Sequence, residues 1–134
     1  GRLFLYKMGE QGYKGLRVYQ EGYKLAMEVF FLSKSFPSEE KFSLTSQIRR
    51  SSRSVCSNIV EGYRKRVYPK HFSSKMTDAD QECSETMLWL DFARDCGYIS
   101  EEIKNELQKR YEKIGGMLGT MAGQPEKFLP RKKL

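Results

Sequence analysis

With 134 residues, of which 39% are hydrophobic and 31% charged, the chain is long enough for one self-sufficient core and too apolar to stay unfolded. Cysteines 56, 83 and 96 are odd in number and lack a CxxC pair, and the apolar run Leu3 to Tyr6 is short; this argues against a disulfide framework, a zinc site, a signal peptide and a membrane span, and for a soluble cytoplasmic protein with reduced thiols. The net charge of +7 is uneven, since residues 49–77 carry eight basic and one acidic side chain while residues 78–112 carry four basic and ten acidic, and a concentrated basic segment has polyanions as its natural partners.

Residues 1–15 read as an N-terminal extension, with Gly1 standing where a start methionine is expected. From Leu16 to about Ser35 the pattern is helical, with Tyr19, Tyr23, Met27 and Phe30 on one stripe and Val18, Leu25, Val29 and Leu32 on another. Two apolar stripes require two neighbours. Phe36-Pro37 ends this helix, because a residue before proline is pushed out of the helical region. Ser38, Glu39 and Glu40 then offer an N-cap and two carboxylates for a second helix, expected to reach about Arg66. Its inner face is Leu44, Ile48, Ser52, Val55, Ile59 and Tyr63, with small Ser51 and Gly62 alongside to permit close helix approach.

Val67-Tyr68-Pro69 is the next break, with Pro69 acceptable as an early residue of a third helix. There Phe72, Met76, Ala79, Cys83, Thr86, Leu90, Ala93 and Gly97 alternate spacings of four and three, a heptad seam. Gly97 suits a left-handed cap, and Ser100 with Glu101 and Glu102 opens the last helix. Its stripe is Ile103, Leu107, Tyr111, Ile114, Leu118 and Met121, closed by Gly123 and Pro125. Short connections force neighbouring helices antiparallel, so residues 16–122 are expected to form an all-α, up-down-up-down four-helix bundle. Residues 123–134 read as a basic tail, mobile from Lys127 onward.

At 100° per residue, Arg49, Arg53 and Arg64 fall within about 60° of one another on the second helix, with Arg50 at the margin. This ridge points away from Ile48, Val55 and Ile59. Ser46 and Ser57 share its surface, and Lys65, Arg66 and Lys70 cluster just beyond. Two readings stand side by side. One is binding to nucleic-acid phosphates, which arginine, lysine and serine contact independently of sequence. The other is pairing with acids on the third helix, within a protomer or across a subunit boundary. The third helix has a second stripe, Asp78, Glu82, Glu85, Trp89, Phe92 and Cys96, whose apolar half is either a wide core edge or, as we favour, an oligomer interface.

Catalysis has little support. His71 is the only histidine and sits in the most basic region; neither a phosphate-cradling glycine loop nor HExxH is present. Glu82 and Glu85 lack an ExxH partner for a di-iron site. No enzyme activity, metal or cofactor is expected.

Leu44-Thr45-Ser46-Gln47-Ile48-Arg49-Arg50, Ser57-Asn58-Ile59-Val60-Glu61-Gly62, Ser84-Glu85-Thr86 with Trp89-Leu90, and Gly97-Tyr98-Ile99 closely resemble the bacterial four-helix-bundle family first described from intervening sequences in large-subunit ribosomal RNA genes. The resemblance covers roughly residues 16–120. That family is similar to the accessory variability protein of diversity-generating retroelements, a homopentameric barrel with a basic surface that partners a reverse transcriptase and nucleic acid. The resemblance implies a pentameric ring that binds RNA or DNA, and it implies no catalytic residue. Two functions follow from these readings: a nucleic-acid-binding accessory protein, or a protein-interaction scaffold whose basic face is used in subunit pairing.

Overall fold

The computed structural model describes residues 12–131. Four helices run antiparallel in chain order: α1 (Arg17–Ser33), α2 (Leu44–Arg64), α3 (Pro69–Asp95) and α4 (Glu101–Ala122). This is the all-α bundle expected from the sequence. Packing is most extensive between α2 and α3 and between α3 and α4, while α1 leans on α2 and makes a thinner contact with its other neighbour, α4. That thin seam is closed by an ion pair, in which Arg110 of α4 donates to Glu28 of α1 at 2.8 Å and 2.5 Å. These hydrogen bonds hold the Glu28 carboxyl below the usual carboxylate range.

The heptad seam of α3 is the centre of the core, with every member from Phe72 to Ala93 fully buried. Helix α3 opens with Pro69 in its first turn. It ends where Gly97 takes φ +81°; the Gly97 and Tyr98 N–H groups donate to the carbonyls of Arg94 and Ala93 at 2.9 Å and 2.8 Å, a Schellman closure that glycine reaches without strain. Ser100 then caps α4, accepting from the Ile103 N–H at 3.1 Å. Small residues bring α2 and α3 together: the Ser51 and Thr86 hydroxyls are hydrogen-bonded across the core at 2.7 Å. At Gly62 an added Cβ would lie only 2.5 Å from the Met76 methyl and 2.9 Å from Lys75 Cβ.

Several expectations are corrected. The second helix begins at Leu44, not Ser38, because Ser38–Glu40 forms only a 3₁₀ turn. Glu40 takes over the capping role, its carboxylate accepting from the Leu44 N–H at 3.3 Å and the Ser43 hydroxyl at 2.6 Å. The Tyr98 hydroxyl donates to its other oxygen at 2.8 Å, tying the two ends of the α2–α3 pair together. Lys65 and Arg66 lie past the end of α2. Ile103 is exposed rather than part of the α4 core stripe.

The tail is also shorter than expected, because Pro125–Phe128 forms a 3₁₀ turn that buries Phe128 completely. Its ring stacks on Phe72 with centroids 4.9 Å apart. At the other end Gly12–Gly15 forms a 3₁₀ turn that delivers a fully buried Leu16, so part of the expected extension belongs to the bundle. The rest of the extension, residues 1–11, and Lys132 and Lys133 of the tail lie outside the described residues.

Candidate nucleic-acid interface

On α1, Val18, Leu25 and Val29 enter the core, while Tyr23 and Met27 stay exposed. The stripe of Tyr19, Tyr23, Met27 and Phe30 is therefore only partly covered within the protomer, with Tyr19 packed against the core. Between it and α2 lies a depression of about 370 Å³ lined by Tyr19, Tyr23, Ala26, Met27, Arg53, Cys56, Ser57 and Val60.

The predicted ridge lies beside it. Ser46, Arg49, Arg50, Arg53, Ser54 and Ser57 of α2 line a shallow depression of about 440 Å³. Arg53 and Ser57 form part of both walls, which makes one continuous trough, cationic on one side and apolar on the other. Arg49 is positioned by α1: its Nε donates to the Ser33 hydroxyl at 2.7 Å, and its guanidinium lies 4.7 Å from the Phe30 ring centre. Arg53 and Lys34 approach the same ring, at 5.7 Å and 5.0 Å. An aromatic quadrupole orients cations without cancelling their charge. Among the described residues, no carboxylate lies within ion-pair distance of Arg49, Arg53 or Arg64.

The other predicted cations divide. Arg50 pairs with Glu85 of α3 at 3.2 Å, an exposed bridge of the kind worth at most about 1 kcal/mol. Structural pairing therefore accounts for one ridge arginine. Arg66 folds back, its guanidinium 3.9 Å from the Tyr63 ring centre and donating to the Tyr63 carbonyl at 3.0 Å. Arg64 and Lys65 are exposed at the far end of α2, and Lys70 in the first turn of α3. Arg49 and Arg64 are about 22 Å apart along the helix axis, so the cations form a line rather than a single pocket.

The expected interface stripe on α3 also divides. Trp89 is half-buried against the core, with its indole N–H enclosed and without an acceptor among the described residues. Phe92 is exposed, its ring 5.9 Å from that of Trp89. With Cys96, Leu44 and Phe42 they line a depression of about 380 Å³ between α2 and α3. Phe42, at 88% exposure, was missed from sequence because the second helix was started too early. In the acidic half, Glu85 already has Arg50 inside the protomer, and Asp78 makes no ion pair among the described residues. Burial, and then Glu85, push the Glu82 carboxyl above its ordinary value. Phe30, Phe31 and Lys34 were also missed as site residues; their signal was two adjacent aromatics followed by a lysine at the exposed end of a helix.

Groups suited to chemistry are not gathered in the same way. Burial pushes the Cys56 thiol up to about 12, and the Cys83 thiol upward as well, which suppresses thiolate character. Exposed His71 stands edge-on to Tyr68 at 6.0 Å. Among the described residues no three His, Cys, Asp or Glu side chains are grouped to hold a metal, and no helix is long and apolar enough to cross a membrane.

The family model of the 23S rRNA-intervening sequence protein matches residues 14–120, nearly the whole bundle. The chain belongs to the 23S rRNA-intervening sequence protein family. A solved structure with the same fold is a protein with unknown function from the S23 ribosomal protein family of Bacteroides thetaiotaomicron. It is 26% identical, with a TM-score of 0.71, over 79% of this chain and 95% of that one. No curated protein matches the chain. The 23S rRNA-intervening sequence protein match stops short of Phe128, so the buried turn that closes the bundle lies outside the matched residues.

Proposed function

We propose that the chain is a non-catalytic, oligomeric accessory protein that binds the backbone of RNA or DNA through the outward face of α2. The observation that carries this reading is the gathering of Arg49, Arg53 and their serine neighbours in one shallow depression, with no carboxylate paired to either arginine among the described residues. A row of oriented guanidinium groups and hydroxyls is suited to phosphate oxygens. Arg64 and Lys65 extend the row; Lys70 and Arg66 contribute field rather than contacts.

The assembly is a homo-oligomer, a pentamer on the family resemblance, and it uses the depression lined by Phe42, Trp89 and Phe92. Exposed aromatics around an enclosed, unpartnered indole N–H favour this face, since interface cores are enriched in aromatics. A reverse transcriptase, implied by the same resemblance, is the protein partner this reading accommodates. The scaffold reading shares the aromatic depression and differs at the ridge, where the internal Arg50–Glu85 pair is the one observation in its favour.

Charge reversal separates them. Changing Arg49, Arg53 and Arg64 together to glutamate is expected to abolish binding to single-stranded RNA and duplex DNA in an electrophoretic shift assay while leaving the oligomer intact. An assembly that falls apart, or affinity that does not change, would favour the scaffold.

A further inference from the structure

The trough beside the ridge is more than a phosphate track. Its apolar wall presents Tyr23 and Met27, and Phe31, beyond the lining of the trough, continues their row along α1, the three spaced four residues and therefore about 6 Å apart. The side chains are 54%, 40% and 60% exposed. Exposing two aromatic rings to water costs hydrophobic free energy that a monomeric surface ordinarily avoids. Here the rings flank cations: Phe31 lies 5.2 Å edge-on to Phe30, the ring approached by Lys34, Arg49 and Arg53, and Lys34 also lies 5.5 Å from Phe31 itself. Arg53 and Ser57 join the cationic and apolar walls.

Resting on the nucleic-acid reading above, we propose that this trough, together with Phe31 and Lys34 just beyond its rim, is a binding site for single-stranded nucleic acid, in which unpaired bases stack on Phe31 and Tyr23 while their phosphates lie along Lys34, Arg49 and Arg53. The chemistry discriminates between strands. In a duplex the base faces are already stacked, and only base edges and phosphates reach the surface. An apolar wall of aromatic faces gains nothing from such a ligand. In a single strand every base offers a π-face, which aromatic side chains bind with little regard to sequence. Guanidinium groups held at the Phe30 ring lie at the boundary where base gives way to phosphate. The site is therefore sequence-tolerant and strand-selective.

The test compares the intact protein with Tyr23→Ala/Phe31→Ala and with Phe31→Trp, using three probes of equal length: a single-stranded oligonucleotide, its duplex and an abasic strand of the same charge. The single strand is expected to bind wild type more tightly than either other probe. Removing both rings is expected to weaken the single strand by roughly tenfold per ring, leave duplex and abasic binding unchanged, and keep the salt dependence. Phe31→Trp is expected to retain the preference. Equal affinity for all three probes, or an alanine variant that keeps the single-strand preference, overturns the stacking site but leaves backbone binding standing. Failure of the backbone-binding reading itself is seen separately, as a glutamate reversal at Arg49, Arg53 and Arg64 that leaves the affinity for every probe unchanged. Light scattering on the alanine variant gives the last outcome: dissociation of the assembly would assign the aromatic row to contact between copies and overturn the proposal.

Discussion

Glu82 carries a carboxylate oxygen that is buried and accepts no hydrogen bond among the described residues. Burial raises its pKa, nearby Glu85 adds to the rise, and Arg50 opposes it. A group whose folded pKa is raised favours the fold in its protonated form; that contribution is complete below the unfolded value and is lost as pH rises through the folded one. At neutral pH the charge therefore subtracts from stability. Glu82→Gln is expected to stabilise the fold at pH 7 by up to about 1 kcal/mol and to make no difference below pH 4.5, the ordinary value for the group. Denaturant unfolding at the two pH values checks this, and a less stable variant at pH 7 would mean that attraction to Arg50 outweighs desolvation. Glu28 and Glu40 have the opposite sign. Hydrogen bonds from Arg110, and from Ser43 and Tyr98, lower their pKa values, so their contribution is present above the ordinary value and lost as pH falls through the lowered ones.

At the scale of helices, the α2–α3 contact depends on the missing side chain of Gly62. Alanine there gains about 1 kcal/mol of helix propensity but forces Met76 and Lys75 aside, an overpacking cost of roughly 1–3 kcal/mol. Gly62→Ala is expected to lower stability, whereas Gly116→Ala and Gly119→Ala, where an added Cβ meets nothing within 4 Å, are expected to raise it by up to about 1 kcal/mol. Thermal unfolding of the three variants distinguishes the signs. The α3 seam, the Gly97 cap and the Ser100 cap were legible in the sequence because each depends on local spacing or one residue's backbone preference. The start of α2 was not. Ser38 has the composition of a cap, but the chain uses Glu40, whose position depends on Tyr98, far along the sequence. Phe128 was illegible for a similar reason, since its place is fixed by the ring of Phe72 and its neighbours read only as a basic tail.

Across the whole molecule, the basic ridge was legible as a helical periodicity, but its division was not. Arg50 is taken by Glu85 and Arg66 by Tyr63, partners that helical spacing does not reveal, and the alignment of Lys34 and Phe30 with Arg49 crosses from one helix to another. The aromatic depression at Phe42, Trp89 and Phe92 carries the oligomer prediction. Phe92→Asp is expected to dissociate the assembly in light scattering while leaving helical circular dichroism intact, because the residue is half exposed in the protomer; loss of helicity together with dissociation would make it a core residue. Backbone binding by the α2 face is tested most directly by salt titration of affinity for single-stranded RNA, in wild type and in the Arg49, Arg53 and Arg64 glutamate variant. Displacement of counterions by three arginines gives a log-log slope of about −2 or steeper in wild type, and the account predicts that the variant loses both that slope and the binding. A variant with wild-type slope and affinity would contradict it.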